Sequence, residues 1–303
     1  LAAWRANVGD PLALDLSRAA DAPAAGPLIV LTWNVWIGRG DLVRVLADVR
    51  SGRWADLGAP AGAHVVALVQ EAYRADDSIP ETGNGRHGRV SDRRRGTNEH
   101  DIRRVAEALG MNLRYAPSMR NGRHRSDRGN AILSTLPLHD TTATELPFSL
   151  QRRVALSASL EIGAGTIRLH TAHLDPRGRT ARDLLGRAGR LAQIRGLIDV
   201  LHVHDDIPHI LGADLNITRR SEPAFRALEG AGFMTGIPAQ TVPWPHTYHR
   251  LPRLVLDWLL VADAAGMIEA VQVHRLDERQ DDRGPTVFGS DHHPLLARVD
   301  VTP

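Results

Sequence analysis

Short apolar runs recur along this chain and break off, one after another, on an acid, an amide or an imidazole. Leu28 to Trp33 stops at Asn34, His64 to Val69 stops at Gln70-Glu71, and Thr166 to Ala172 stops at His173. Ile207 to Leu211 leads into Asp214 and Asn216, and the run Leu254 to Val261 is interrupted by Asp257. Runs so short and so continuously apolar read as strands buried on both faces, which obliges the fold to cover its sheets. From Asn130 onward several strands follow without a helix between them: Ala131 to Ser134, Leu136 to Leu138, Val154 to Ile162 and Thr166 to His173. Serial strands of this kind pair antiparallel.

Helical patterns lie between the strands. Asp41 is placed to cap a helix over Leu42 to Val49, and others are expected at Asn98 to Leu109, Arg179 to His202 and Glu222 to Ala231. Further strands are expected at Asn112 to Ala116, Ala270 to Leu276 and Leu295 to Val301. Such interspersion predicts an α/β (α+β) chain with two packed sheets and helices outside them. Residues 1–27 read as a leader and linker, with a helical piece at Leu12 to Leu16 and an Ala/Pro/Gly stretch from Asp21 to Pro27. One catalytic domain, residues 28–303, follows.

Composition narrows the chemistry. The chain has no Cys, and every one of its 37 basic residues is Arg. Thiolate nucleophiles, Cys-ligated metals, Schiff-base lysines and Walker-type phosphate loops are therefore excluded. Carboxylate, imidazole, hydroxyl and amide remain, a set that suits hard cations such as Mg²⁺ or Mn²⁺. No uninterrupted apolar run is long enough to span a bilayer. No signal-peptide pattern opens the sequence, and a start at Leu1 leaves the compartment open. The formal charge is only +2, yet residues 86–128 hold twelve Arg against five acids, a local positive field suited to phosphate or to a solvated surface. The stretch 74–97 has no periodicity and reads as a long excursion.

Each polar terminus has a chemical reading. Glu71, a carboxylate at a strand end, is the leading metal ligand, with Asn34 beside it on the neighbouring strand; an Arg partner is the plainer role. Asp214 and Asn216, two apart, share a face if the segment is extended, though Asp-x-Asn is also a common turn. Asp257 inside an apolar run needs a partner, and His292, preceded by Asp291, is the candidate: a carboxylate on one ring nitrogen leaves the other as a general base. His173 ends its strand and can contact a phosphate, whereas His170 faces elsewhere on a regular strand. Asn130 is placed to line the cleft. For His246, His249 and His293, surface or packing roles are expected.

Thr32-Trp33-Asn34, Gln70-Glu71, Gly129 to Ser134, Thr171 to Leu174, Gly212 to Asn216, Leu256-Asp257-Trp258 and Ser290-Asp291-His292, taken as an ordered set, resemble the endonuclease/exonuclease/phosphatase superfamily, also called DNase I-like. The resemblance covers about residues 28–300. It implies a four-layer α/β/β/α sandwich of two mixed, largely antiparallel sheets, with the site at one end. It further implies Mg²⁺ or Mn²⁺ on Glu71, with Asn34 and Asp291 assisting. Asp257 would orient His292, Asp214 and Asn216 would position water and phosphate, and His173 would contact phosphate. Asn34, Asn130, Asn216 and His173 would bind substrate. The family pattern leaves the water's proton to either His292 or Asp214, and His292 is expected to take it because its Asp257 partner makes it basic. Two places after Asn34 many relatives carry a polar residue, where this chain has Trp36.

The expected activity is hydrolysis of a phosphodiester by metal-assisted attack of water, with nucleic acid as substrate and the chain acting as a monomer. A lipid or small-molecule phosphoesterase keeps the same residues but needs an apolar rim, and with 4% aromatic residues that rim is not evident. A non-catalytic binding module of the same fold would lack a metal ligand or base, and here Glu71, Asp257 and His292 are all present.

Overall fold

The computed structural model describes residues 4, 6–17, 26–81, 83, 100–121, 125–163, 165–178, 181–201, 206–235, 246–278 and 284–301. A seven-stranded sheet runs, in spatial order, β1 (Leu12–Leu14), β4 (Asn112–Arg120), β5 (Ser126–Ser134), β3 (His64–Ala75), β2 (Leu28–Asn34), β13 (Leu295–Val301) and β12 (Ile268–Arg275). A six-stranded sheet runs β10 (Met234–Thr235), β11 (Asp257–Ala262), β9 (His209–Asp214), β8 (Gly165–His173), β7 (Val154–Ile162) and β6 (His139–Glu145). Each contains one parallel pair, β2 with β3 and β8 with β9, and is otherwise antiparallel.

Period-two alternation divides each apolar run between two cores. Leu28 and Val30 of β2 meet Leu156, Leu169 and Ile210 between the sheets, whereas Ile29, Leu31 and Trp33 face outward under α1 (Leu42–Arg50) and α2 (Ile102–Leu109). On the far side α3 (Arg187–Leu201) and α4 (Pro223–Gly230) cover Ala172, Leu211 and Ala213. The result is the expected four-layer sandwich. Asp41 caps α1 as its position suggests, accepting from Arg44 N at 3.1 Å. No helix among the described residues is long and apolar enough to cross a membrane.

The two sheets close tightly where their parallel pairs face each other. A Cβ on Gly212 of β9 would lie 2.7 Å from the Thr32 side chain, so only glycine admits that approach. Gln70, fully buried, bridges the gap: its Nε2 reaches Thr32 Oγ1 (3.1 Å) and Leu68 O (3.0 Å) on one sheet, and Thr171 Oγ1 (3.0 Å) and Gly212 O (3.1 Å) on the other. β2, β8 and β9 end at Asn34, His173 and Asp214, whose side chains meet across the two sheets, so these strand ends open into one region.

Several local expectations fail. Leu12 to Leu14 is a strand paired with β4, not part of a helix; three alternating residues cannot by themselves tell the two apart. Leu136 to Leu138 lies outside the strands, and the strand nearby is β6, mostly exposed and so lacking an apolar signal. β11 opens at Asp257, which heads its strand instead of interrupting it. Helix α2 starts at Ile102, capped by Asp101. Most of the linker (18–25) and of the Arg-rich excursion (84–99) lies outside the described residues.

Candidate active site

Glu71 is not at a strand end, as the sequence suggested, but within β3. The register of β3 against β5 slips between Val69 and Ala72, and Glu71 sits in that bulge at φ 54°. A bulge re-aims the side chain it carries, which has the same consequence as a strand end. Asn34 ends β2 opposite Gln70; His173 ends β8 directly opposite Asp214 at the end of β9. Asp257 begins β11 and pairs with Asp214 across the sheet. The turn before β13 carries Asp291 and His292, and Leu295 pairs with Thr32 on β2. Residues scattered through the sequence thus arrive at one end of the sandwich.

Their side chains form a connected set. His292 Nδ1 donates to Asp257 Oδ2 at 2.7 Å, and its Nε2 lies 4.0 Å from Asp214 Oδ2. Asp214 Oδ2 accepts from Asn34 Nδ2 at 2.9 Å and has His173 Nε2 at 3.4 Å. His173 Nδ1 is 3.8 Å from Glu71 Oε1, and Glu71 Oε2 is 3.5 Å from Arg128 Nη1. Asp291 lies 3.8 Å from Arg250 Nη1. Ser290 fixes the turn, donating to Asn34 O at 2.7 Å and accepting from His292 N at 3.1 Å. Thr247 Oγ1 accepts from the Leu256 and Asp257 amides, each at 2.9 Å, and Tyr248 packs edge-on against the His292 ring.

Two expected substrate groups, Asn216 and Asn130, also hold the fold through their side-chain amides. Asn216 stands at φ 52°, so the extended geometry that would align it with Asp214 is absent. Its amide nitrogen donates to Leu174 O, and its backbone N–H donates to Asp214 Oδ1: the plain turn arrangement. Asn130 is buried and donates to Val154 O at 2.6 Å, tying β5 to the facing sheet beneath the site. The Arg-rich stretch also contributes less to the surface than its charge implied. Arg114 and Arg120 are buried, and Arg114 serves carbonyls such as Leu138 O at 2.6 Å.

The electrostatics redistribute the protons. Burial lowers the His292 ring, but Asp257, through its charge and hydrogen bond, then Asp214 and Asp291, outweigh it and raise the group to about 10. Burial, reinforced by Asp257, lifts Asp214 to about 7. His173 is held well below its usual value by burial and by Arg153 and Arg128. These directions place a proton on the ring that Asp257 orients and leave Asp214 as a second group able to take the water's proton. The carboxylate that orients the ring also favours its protonated form, while burial brings Asp214 into the range where it can exchange a proton near neutrality.

For a cation, Asp291 is raised by burial and by the charge of Glu71, which outweigh the nearby His292 and Arg250, as expected of two carboxylates held near each other. A divalent ion would relieve that repulsion, and the donors are oxygens of the kind Mg²⁺ and Mn²⁺ prefer. The Asn34 amide serves Asp214 and accepts from Trp36 N at 3.0 Å. Asp214, Asp257 and His292 also cluster closely enough to suggest a metal, but His292 Nδ1 already donates to Asp257, so this trio reads as a proton-sharing set.

Sequence reasoning assigned no role to Ser290 within its motif and passed over Thr247, Tyr248 and Arg153, which hold other groups in place. The signal in Arg152-Arg153, charges opening an apolar run, was available. His246, His249 and His293, expected at the surface or in packing, are all buried and adjacent.

A family model described as Endonuclease/Exonuclease/phosphatase family matches residues 31–292. A comparison with curated proteins returned no match. Among solved structures, an endonuclease/exonuclease/phosphatase from Beutenbergia cavernae is similar at TM-score 0.61 and 17% identity, over 91% of this chain and 72% of that one. The human Nocturnin catalytic domain with bound sulfate anion is similar at 0.57 and 17%, over 97% and 98%. A truncated TDP2 from Caenorhabditis elegans is similar at 0.56 and 17%, over 90% and 97%.

Proposed function

The chain belongs to the endonuclease/exonuclease/phosphatase family, whose members hydrolyse phosphoesters, and we propose that it is a divalent-metal-dependent phosphodiesterase acting on nucleic acid. The observation that carries this reading is the continuous contact path Asp257–His292–Asp214–Asn34, with His173 and Glu71 on its flank.

Glu71 and Asp291 would hold Mg²⁺ or Mn²⁺, which when bound supplies Lewis-acid stabilisation of phosphate charge. Asp214, kept in orientation by Asn34, accepts a proton from the attacking water. His292, held as an imidazolium by Asp257, donates to a phosphoryl oxygen as charge develops there. His173, neutral and beside Asp214, donates a second hydrogen bond to the phosphate. Arg128, whose buried Nε has no hydrogen-bond partner among the described residues, adds a fixed positive charge at the same edge. Water forms the new P–O bond as the opposite ester bond breaks, and the departing oxygen takes up a proton from solvent to leave as the alcohol. Asn130 and Asn216 act indirectly, by fixing the strands beneath the phosphate.

Nucleic acid is favoured by the rim. The Arg39 and Arg250 guanidinium groups lie over the Trp36 ring, 4.4 Å and 5.4 Å from its centre, and Arg250 also approaches Asp291. Permanent cations held beside Asp291 by this aromatic ring suit the phosphates of a nucleic-acid backbone. The experiment is a substrate panel of single- and double-stranded nucleic acid, sphingomyelin, inositol phosphates and simple diesters, each with Mg²⁺ and with EDTA. Metal-dependent cleavage of nucleic acid that weakens steeply with salt is expected. Turnover confined to lipid or inositol phosphate would overturn the substrate assignment.

A further inference from the structure

Behind the turn that carries Asp291 and His292, one ring nitrogen from each of His246, His249 and His293 lies within 4.8 Å of the other two, and all three residues are buried. The hydrogen bonds around them set up a conflict. His249 Nε2 lies 2.8 Å from Gly284 O, and a carbonyl only accepts, so the His249 proton is on Nε2. His293 Nδ1 faces Leu276 O at 3.2 Å and Asp277 Oδ1 at 2.9 Å, both acceptors, so the His293 proton is on Nδ1. That leaves His249 Nδ1 and His293 Nε2 pointing at each other across 2.9 Å, each with an unshared pair. Two neutral imidazoles repel in this arrangement. Something positive belongs between them.

An extra proton would satisfy that pair alone. The third imidazole favours a metal, because His246 adds a further ring, edge-on to His293 with centres 5.1 Å apart. Asp277 beside His293 Nδ1 is the outer carboxylate that commonly orients a metal-ligating histidine. Arg275 donates to His246 O at 2.9 Å and approaches His246 Nδ1 at 3.2 Å, with Asp277 Oδ2 offsetting its charge at 3.0 Å. Ligation through His246 Nε2 puts that ring's proton on Nδ1, facing another donor in Arg275 Nη1, so the guanidinium must turn from the ring nitrogen while keeping its bond to His246 O.

We propose that His246, His249 and His293 form a second metal site, selective for a borderline transition ion such as Zn²⁺. It is distinct from the oxygen-rich Glu71/Asp291 position, since imidazole nitrogens bind zinc-like ions in preference to Mg²⁺. The ion staples the 246–249 segment to the turn before β13. Those two stretches already share the His249 N to Asp291 O (2.8 Å) and His293 N to Thr247 O (2.7 Å) bonds. A metal there would stiffen the backbone that presents His292.

Co²⁺ is the direct probe, because nitrogen-ligated Co²⁺ of low coordination number absorbs visibly while the octahedral oxygen-ligated ion barely does. With excess Mg²⁺ filling the oxygen site, the untagged full chain should bind one Co²⁺ with a visible band. The band should persist in Glu71→Gln and vanish in His249→Gln. X-ray absorption of the zinc-loaded wild type, which needs no variant, should show imidazole nitrogens at about 2.0 Å. Failure to bind Co²⁺ or Zn²⁺ under excess Mg²⁺, a band that survives His249→Gln, or an all-oxygen shell around zinc would overturn the proposal. The readout is spectroscopic, so it stands apart from whether phosphoesters are hydrolysed.

Discussion

His292, in the turn before β13, and Asp257, at the head of β11, are joined by a 2.7 Å hydrogen bond between two buried side chains, and this pair favours a proton on the ring. With the carboxylate in place the ring is raised to about 10, so at neutral pH it is an acid and a donor. Asp257→Asn removes the charge while keeping the shape. In the metal-free protein the His292 value, followed by NMR, should fall by about one unit or more. An unchanged titration would show that Asp257 does not hold the proton.

Asp214→Asn should cost about 10²-fold or more in kcat with little change in folding. Asp214 must be ionised to accept a proton, and burial has lifted it to about 7, so wild-type activity should rise with pH through that region. In the variant that limb should disappear from the kcat profile. A retained limb would assign the titration to another group.

Gln70→Leu should lower stability by about 1–3 kcal/mol, because it leaves the Thr32, Thr171 and Gly212 partners of a fully buried amide without their donor. Urea unfolding measures the loss. Since the amide also spaces the strands that end at Asn34, His173 and Asp214, kcat should fall with it.

His170, turned away from the site as its spacing indicated, is bonded to Ser157 at 2.7 Å and His209 at 3.0 Å. Burial, then His209 and Arg168, hold it well below its usual value. The unfolded chain therefore takes up a proton near pH 6.5 that the folded chain refuses. Stability is full above that pH and is lost as pH falls below it. His170→Gln should flatten the acid side of a stability-against-pH curve measured in EDTA.

The parts of the fold visible in the sequence are those where burial writes itself into a run of residues. β2, β7, β9 and β13 are covered on both faces, so their apolar stretches and the polar residues at Asn34 and Asp214 could be read directly. β6 is an exposed edge strand with no such run, and only Thr141, Thr142 and Thr144 hint at its conformation. The bulge at Glu71 depends on pairing with β5 far along the chain. Asp257 and His292 were paired from the cost of burying a bare carboxylate. The proton balance was not legible, because it depends on three carboxylates converging on one ring. The histidine cluster was hidden for a related reason, its members being brought together by two loops.

The most direct measurement is cleavage of a simple phosphodiester and an end-labelled oligonucleotide by the wild type, Glu71→Gln and His292→Ala, each with Mg²⁺ and with EDTA, alongside circular dichroism to establish folding. The expected result is metal-dependent cleavage by the wild type, loss of metal dependence in Glu71→Gln, and a fall of about 10²-fold or more in a folded His292→Ala. A folded His292→Ala that cleaves every such substrate at the wild-type rate would contradict the assignment of this cleft as the catalytic centre.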